Sequence, residues 1–234
     1  MHLGLIPDGH RRYADERGIS DRRAYLQAKN LLDEIIRDLD SLTDRCSDEV
    51  EMIDELTVYA LSEENLRRDE EELVILYDML EAYADEVIDE FPGTRFDVRW
   101  LSTAPETMPA STRAAMDRVA DHFTGEEVTI NVLLSYTGTA DIVNAANAIA
   151  DGSAPVDPPV SADEFAAALD LSTDIDYVVR TGDNPRRECL SGFPIWNASY
   201  AEYYHYEKNF PALTVADMQA ALDHVTSLRR NEGR

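Results

Sequence analysis

The sequence predicts an α/β fold in which a mainly parallel sheet is covered by helices on both faces. The main observation is that short apolar runs alternate with longer segments of helical periodicity along the whole chain. The length of 234 residues suits one such domain, and no internal repeat or low-complexity segment divides it. We therefore expect residues 1–234 to form a single domain.

Five short apolar runs are the strand candidates. They are Leu3–Ile6, Leu56–Leu61, Phe96–Leu101, Val128–Leu134 and Tyr177–Val179. Helical patterns between consecutive strands are typical of parallel sheets, in which ligands bind beyond the carboxyl ends of the strands. The segments that follow these runs are therefore the places to search for a functional site.

Six segments have the apolar periodicity of helices. They are Arg22–Leu42, Glu70–Phe91, Thr107–Phe123, Ala140–Ala150, Ala162–Leu169 and Val215–Leu228. Ser161 and Glu164 form the pattern of a capping box at the start of one of them. The stretch Asp151–Pro159, which is rich in proline, is expected to be a surface loop within the domain.

The helix predicted over Glu70–Phe91 has an apolar stripe along one side. Its members are Leu73, Leu76, Tyr77, Leu80, Tyr83, Ala84 and Val87. Such a stripe usually packs a helix against a sheet, and it can also line an apolar cavity. The spacing alone does not separate these two interpretations.

The chain is strongly acidic, with 47 Asp and Glu against 21 Lys and Arg and a formal net charge of −26. Such a surface repels phosphate backbones, so nucleic acid is not an expected partner. Lys29 and Lys208 are the only lysines. Acidic surfaces with few lysines suit very high salt, where counterions screen self-repulsion. We therefore interpret the chain as halophilic, the alternative being an acidic protein of ordinary conditions.

We expect a cytoplasmic protein. The two cysteines, Cys46 and Cys189, suggest no disulfide framework and fit a reducing compartment. No apolar run approaches the roughly 20 residues needed to cross a bilayer. A predicted strand follows Met1 where an export signal would have a basic and then an apolar region.

The first candidate site follows the first strand, where Asp8 and Gly9 precede a helix start with His10, Arg11 and Arg12. The free N–H groups of a helix N-terminus bind anions, and arginines add forked hydrogen bonds to phosphate oxygens. One carboxylate beside a diphosphate is a common arrangement for Mg²⁺, which completes its shell with phosphate and water. The alternative is an Asp-Gly turn with solvated arginines.

The second candidate site follows the strand Leu56–Leu61, which runs directly into Ser62, Asn65 and Arg68. These polar side chains again stand at the carboxyl end of a buried strand, where ligands bind in parallel sheets. The alternative for Ser62 is a structural role as the cap of the next helix.

The third candidate site follows the last predicted strand and contains Arg180, Arg186, Arg187 and Ser191. In so acidic a chain, three arginines and a serine in one loop indicate a second anion pocket. Glu202, a few residues further on, is another candidate metal ligand. The alternative is a set of surface arginines that balance acidic neighbours.

Other common motifs are absent from the sequence. The histidines are scattered without the spacing of a zinc site, and there is no nucleotide-binding glycine loop and no nucleophile elbow. Loops rich in Arg and Ser without a nucleotide motif favour a diphosphate substrate whose remainder is not a nucleotide.

In chain order, these three segments resemble the motifs of cis-prenyltransferases, the family of undecaprenyl and dehydrodolichyl diphosphate synthases. Pro7–Ala14 is similar to the first motif of the family (M-D-G-N-x-R-[WFY]-A) and Leu56–Arg68 to the second (L-T-x-Y-x-F-S-x-E-N-[WF]-x-R). Asp176–Tyr204 is similar to the late motif, and Phe210-Pro211 stands where the family has Trp-Pro. The resemblance spans almost the whole chain.

The resemblance implies a six-stranded parallel sheet, an apolar tunnel for a growing hydrocarbon chain, and a homodimer. It implies isopentenyl diphosphate and an allylic diphosphate, farnesyl or geranylgeranyl, as substrates and Mg²⁺ as cofactor. The product would be a long-chain polyprenyl diphosphate for a glycosyl carrier lipid, whose release would involve peripheral membrane contact. The alternatives within the family are a short-chain synthase and a non-catalytic partner subunit of a heteromeric enzyme.

The resemblance also assigns roles to matching residues. Asp8 and Glu202 would form the metal site, and Asp8, Asn65 and Ser62 would be catalytic. The substrate-binding residues would be Gly9, His10, Arg11, Arg12, Arg22, Arg68, Arg180, Arg186 and Ser191. The last three of these would bind isopentenyl diphosphate. No strong protein base stands out, so the departing diphosphate would take the proton, helped by Asn65 and Ser62.

The chain departs from the family pattern at several positions. The single replacements are His10 for asparagine, Leu26 for histidine and Leu66 for an aromatic residue. His10 could titrate near neutrality. The segment Ser135–Thr139 lacks the usual Asn and Arg, and a longer late loop lets Arg186 and Arg187 exchange roles. These departures concern the choice of allylic substrate more than the type of reaction.

Overall fold

A computed structural model of the chain describes residues 1–39, 42, 52–91, 95–156, 159–184 and 189–227. Its centre is a sheet of six strands: β1 (His2–Ile6), β2 (Glu55–Ser62), β3 (Phe96–Leu101), β4 (Val128–Tyr136), β5 (Tyr177–Thr181) and β6 (Glu202–Tyr206). The strand order is β3-β4-β2-β1-β5-β6, and every neighbouring pair is parallel. The predicted α/β fold with a parallel sheet is confirmed.

Helices surround the sheet. In the described residues they are α1 (His10–Arg17), α2 (Asp21–Arg37), α3 (Glu70–Glu90), α4 (Ala110–His122), α5 (Gly138–Ala150), α6 (Ala162–Ala166) and α7 (Val215–Ser227). None of these helices combines the length and the hydropathy of a bilayer-spanning segment.

The sixth strand has no clear signal in the residue pattern, although the family resemblance implied it. Its residues, Glu202–Tyr206, read EYYHY and are all partly exposed. This strand lies at the edge of the sheet beside β5, where polar and aromatic side chains replace the aliphatic run that marks a central strand. The central strand β1, by contrast, is buried at every position.

The predicted helices are present, with differences at their ends. The helix α2 ends at Arg37 with Asp38 as its C-cap residue, and Leu39 and Leu42 are again helical. Pro109 precedes the first residue of α4, so the predicted helical start at Thr107 is a short 3₁₀ turn instead. The predicted capping box is confirmed, since Ser161 Oγ accepts from the N–H of Glu164 at 3.3 Å.

Alternating residues of β1 divide the core between the two faces of the sheet. Leu3 and Leu5 pack on one face in the large cluster that includes residues of α2 and α7. Ile6 packs on the other face with Tyr136 and Phe193. This alternation is the two-residue period of a strand. Because every residue of β1 is buried, polar groups for a site can come only from the segment that follows the strand.

The register of the sheet brings three predicted loops to one edge. Ile6 pairs with Arg180 across β1 and β5, and Leu5 pairs with Val58 across β1 and β2. Because all three strands run in the same direction, the segments that leave them emerge side by side.

A close approach at Gly4 provides a test of this packing. A Cβ at Gly4 would lie 2.8 Å from ring atoms of Phe193, whose side chain is fully buried. Gly4→Ala should therefore lower the free energy of unfolding by about 1–3 kcal/mol, as measured by urea denaturation. Phe193→Leu should lower the free energy of unfolding by less in the Gly4→Ala variant than in the parent protein. Strictly additive effects would contradict this packing.

Candidate active site

The structure confirms that the first and third candidate loops meet. The Arg180 Nη2 donates to Asp8 Oδ2 at 2.7 Å, and the N–H of Gly9 donates to Asp8 Oδ1 at 2.6 Å. Arg12 Nη2 lies 3.3 Å from Asp8 Oδ1. Asp8 and Arg180, which are 172 positions apart in the sequence, are thus in direct contact.

These contacts decide the charge of Asp8. Burial by itself raises the pKa of this carboxyl group, but the hydrogen bond and charge of Arg180 and the charge of Arg12 outweigh burial, so that the pKa of Asp8 lies below its usual value. Asp8 is therefore an anion at neutral pH. Its side chain keeps 29% of its surface exposed, so a ligand can still reach it.

The turn that carries Asp8 is held by the chain near α7. Gly9 has a φ of 103°, and a Cβ there would lie 2.2 Å from Asn209 Oδ1. Only glycine fits this conformation and this approach. The carbonyl of Asp8 also accepts from the N–H of Phe210 at 2.9 Å. The first loop is consequently rigid before any substrate arrives.

Arg12 supplies unused donors in this loop. Its Nε and Nη2 atoms are buried and have no hydrogen-bond partner. Buried donors without an acceptor are unfavourable, and the cost disappears when an anion binds. The Arg12 side chain is 35% exposed and its Nη2 already faces Asp8 Oδ1 at 3.3 Å, so its role in anion binding stays a prediction; Arg11 is mainly exposed and lies 3.6 Å from Glu72.

The third loop is arranged around Arg180. This guanidinium is 2% exposed, and its Nη1 donates to Ser191 Oγ at 2.7 Å and to the carbonyl of Cys189. Ser191 adopts a φ of 50°, which is uncommon outside glycine. Arg186 and Arg187 lie outside the described residues, so their predicted roles stay predictions.

The second loop confirms that Ser62 caps the next helix, and its predicted role in the site stays a prediction. Its Oγ accepts from the N–H of Asn65 at 3.3 Å, and Asn65 Oδ1 accepts from the N–H of Ser62 at 3.2 Å, which is a reciprocal cap. Both residues nevertheless line the central cavity. Arg68 Nη1 donates to Tyr25 OH at 2.9 Å and to Glu72 Oε1 at 2.8 Å.

His10 is not a group that titrates near neutrality. Its ring stacks on Tyr25 with 5.0 Å between centroids. Burial lowers the pKa of His10 to about 4, with the Asp8 carboxylate opposing the shift and the charges of Arg68 and Arg12 adding to it. The imidazole is therefore neutral at physiological pH, and it acts in the site as a polar ring without charge.

The structure does not bring Glu202 to Asp8. Glu202 is the first residue of β6 and pairs with Tyr177, whereas Asp8 follows the carboxyl end of β1. Tyr177 precedes Arg180 by three residues, which is roughly 10 Å along a strand. The register of parallel strands thus separates the two carboxylates, and a shared metal site is not supported within one chain. Arg22 lines the cavity on an exposed part of α2.

A large cavity begins at these loops. Its volume is 1320 Å³, above the usual range of about 300–1000 Å³ for small-molecule pockets. It extends between α2, α3 and the sheet. Apolar residues that line it include Leu32, Ile36, Leu76, Leu80, Val87 and Phe123.

The cavity resolves the question of the stripe on α3. Leu76, Leu80 and Val87 line the cavity, and Leu76 and Leu80 also pack with Leu73 and Tyr77 in an apolar cluster that adjoins it. One stripe therefore serves both purposes.

Two residues of the site had no signal of their own in the sequence. Tyr25 and Glu72 line the cavity and bind Arg68. Glu72 follows Arg68 by four residues, the spacing of a helical ion pair, and Tyr25 follows Arg22 by three. Helical spacing from a predicted arginine could have found both.

Comparisons with known proteins agree with this geometry. The sequence model of the family described as putative undecaprenyl diphosphate synthase matches residues 6–233. An isoprenyl transferase of Corynebacterium efficiens is 30% identical over 100% of this chain and 90% of its own length. A tritrans,polycis-undecaprenyl-diphosphate synthase (geranylgeranyl-diphosphate specific) of Picrophilus torridus is 29% identical over 99% of this chain and 89% of its own.

Solved structures show the same fold. The lavandulyl diphosphate synthase of Lavandula x intermedia, in complex with dimethylallyl diphosphate, superposes with a TM-score of 0.86 at 24% identity, covering 100% of this chain and 98% of that chain. A probable undecaprenyl diphosphate synthase of Campylobacter jejuni has a TM-score of 0.77 at 21% identity, with the same coverage. Since the family model aligns with residues 6–233, almost the whole length of the chain, the chain belongs to the cis-prenyltransferase family of undecaprenyl diphosphate synthases.

Proposed function

We propose that the protein is a Mg²⁺-dependent cis-prenyltransferase that condenses isopentenyl diphosphate onto an allylic diphosphate. The observation that carries the proposal is the convergence of Asp8, Arg12 and Arg180 at the head of a cavity whose walls are largely apolar. Charged groups for two diphosphates therefore stand at one end and space for hydrocarbon extends from them.

The arginines divide into two groups. Arg12, in the first turn of α1, lies near Asp8 Oδ1, and Arg180, which also binds Ser191, donates to Asp8 Oδ2. Two separate anion clamps would hold the allylic and isopentenyl diphosphates side by side. Positioning of this kind makes the condensation effectively unimolecular, which removes much of the entropic barrier.

The donor set fits Mg²⁺ in one particular way. In the described residues no group of three or more potential ligands forms a protein metal cage, and Asp8 is one ionised, partly exposed carboxylate among arginines. Mg²⁺ commonly takes one or two carboxylates and completes its shell with phosphate and water. Asp8 would hold the ion, which when bound would stabilise charge on the departing diphosphate.

The residues of the chain itself account for the remaining chemistry. The bond between the allylic carbon and the diphosphate oxygen breaks, the terminal alkene carbon of isopentenyl diphosphate forms the new bond, and a proton leaves the neighbouring carbon. Arg12 and Arg68 stabilise the leaving group where its charge develops. Asn65 Oδ1 is engaged by Ser62, so its Nδ2 is the group that can donate to a diphosphate, which accepts the proton.

Two alternatives concern the type of product and partner. A non-catalytic partner subunit is disfavoured because Asp8, Arg12, Arg68 and Arg180 are all present and converge. A short-chain synthase is favoured by polar side chains inside the cavity. The homodimer, the cytoplasmic location and the membrane contact during release stay predictions.

The activity should be present in the purified chain alone. With Mg²⁺, isopentenyl diphosphate and farnesyl or geranylgeranyl diphosphate in molar salt, we expect chain extension and release of diphosphate, both detected by mass spectrometry. EDTA should abolish the reaction, and added Mg²⁺ should restore it. Absence of turnover with allylic starters of every length would favour the partner subunit.

Loss of the carboxylate at the head of the cavity should remove catalysis and keep the fold. Asp8→Asn retains an acceptor for Arg180, and we expect kcat to fall about a hundredfold or more, with the circular dichroism spectrum of the folded protein retained and a lowered thermal midpoint, because the buried Arg180 loses the charge that matched its own. Asp15→Asn is the matched control, because Asp15 lines the same cavity and has an exposed side chain. Equal rates for Asp8→Asn and the parent protein would contradict the assignment of Asp8.

We further propose that the fold requires concentrated salt. Counterions shorten the screening length from about 10 Å at 0.1 M to about 3 Å at 1 M, so the self-repulsion of a chain with net charge −26 weakens. The urea midpoint should fall steadily as NaCl is lowered from molar to millimolar concentration. Equal midpoints at both ends of this series would identify an acidic protein of ordinary conditions.

A further inference from the structure

The cavity that begins at the diphosphate site is not apolar throughout. Lys29, Tyr83 and Glu86 line it, and Asp33 completes a group of four polar side chains. Lys29 Nζ lies 3.1 Å from Asp33 Oδ2 and 2.8 Å from Glu86 Oε2. Tyr83 OH donates to Asp33 Oδ1 at 2.6 Å. We call these four residues, which join α2 to α3, the α2–α3 ion cluster.

Lys29 and Asp33 are largely removed from water, whereas the side chain of Glu86 is 53% exposed at the outer side of the cluster. The side chains of Lys29 and Asp33 are 13% and 4% exposed, and the ammonium group also lies 5.3 Å from the centre of the Tyr83 ring. Burial lowers the pKa of Lys29, but the hydrogen bonds to Glu86 and Asp33 outweigh burial and raise it. The lysine is therefore a cation at neutral pH, and its pairing depends on the polar groups around it.

The cluster lies part of the way down the cavity. Glu72, which binds Arg68, marks the head of the cavity, and Phe91 lies at its far end. From Glu72 to Tyr83 the helix α3 rises about 16 Å, and from Glu72 to Phe91 about 28 Å. Apolar residues, among them Phe91, Phe96 and Phe123, line the cavity beyond the cluster.

These distances correspond to a definite length of hydrocarbon. An isoprene unit adds four main-chain bonds. Three main-chain bonds of an extended peptide span about 3.3–3.6 Å, so four bonds of similar length span about 5 Å. A chain of about three or four units therefore reaches the cluster, and about six reach Phe91. The cavity continues beyond the cluster. If its wall were apolar throughout, the growing hydrocarbon chain could extend into that part of the cavity.

We propose that the α2–α3 ion cluster determines the length of the product. The hydrocarbon grows along the apolar side chains of α2 and α3 until its end meets the cluster. Further growth would press apolar carbon against buried ions and remove their remaining hydration, which is unfavourable. From a starter of three or four units, the main product then has about four or five isoprene units. This inference rests on the proposed prenyl transfer and assigns its product to the short- and medium-chain class.

A cluster with a purely structural role would behave differently. It would hold α2 against α3, and its removal would lower stability without changing which products accumulate. Product length and binding of chains of different length are therefore the decisive measurements, because neither follows from stability alone.

The first experiment replaces the cluster with apolar groups of similar size, in the variant Lys29→Met/Asp33→Leu/Tyr83→Phe. Replacing the three more buried members together leaves no buried charge without a partner, because the remaining member, Glu86, is 53% exposed and stays solvated, and such replacements are often neutral or stabilising. We expect the products, identified by mass spectrometry, to lengthen by about two or more isoprene units. The matched control is Asp85→Asn/Arg118→Gln, an exposed ion pair between α3 and α4 at 2.8 Å, which should leave product length unchanged.

The second experiment needs neither turnover nor a variant. Calorimetry with saturated alkyl diphosphates of increasing length should show affinity for the wild-type protein rising about tenfold or more for each five carbons. Once the alkyl chain is long enough to reach the cluster, each further five carbons should raise the affinity of the wild-type protein by less than about twofold. In the triple variant, the gain of about tenfold for each five carbons should continue. Affinity that keeps rising in the wild type, or long wild-type products, would overturn the proposal. If the protein binds alkyl diphosphates with this length dependence but catalyses no condensation, the proposed prenyl transfer is wrong and the proposal about chain length stands.

Discussion

The ion pair between Asp8 and Arg180 is the interaction on which the site depends. Arg180 is 2% exposed, and a buried guanidinium is tolerated only when its charge and its donors are matched. Asp8 supplies the charge, and Ser191 accepts a further hydrogen bond at 2.7 Å. The pair therefore connects the turn after β1 to the loop after β5, and the close fit of Gly9 against Asn209 fixes that turn from behind. Substrates meet a site that is already assembled.

This site is cationic in a chain that is strongly anionic overall. With a net charge of −26, the distant field of the protein opposes the approach of a diphosphate. Concentrated salt screens that field within a few ångströms, whereas Arg12 and Arg180 act at contact distance inside a partly buried pocket. The same salt that relieves self-repulsion of the fold thus lets the local arginines govern binding, which joins the stability of this protein to its proposed activity.

The helix α3 shows how one amphipathic element contributes to both fold and specificity. Leu73 and Tyr77 secure the helix to its neighbours, Leu76 and Leu80 provide an apolar wall, and Tyr83 adds a polar group linked to α2. Packing, the proposed binding of substrate and the proposed limit on product length therefore involve successive turns of the same helix. A change in any of these turns acts on the others through the position of α3.

The sequence by itself determined the parallel sheet, because alternating strands and helices permit few other arrangements. It also determined that Asp8 and Arg180 meet, since the carboxyl ends of parallel strands share one edge. Only the tertiary structure decided that Glu202 lies at the opposite end of its strand from that edge and that Lys29 and Glu86 form an ion pair between α2 and α3. The physical reason is that periodicity shows which side of an element is apolar, whereas strand register and helix packing decide what that side meets.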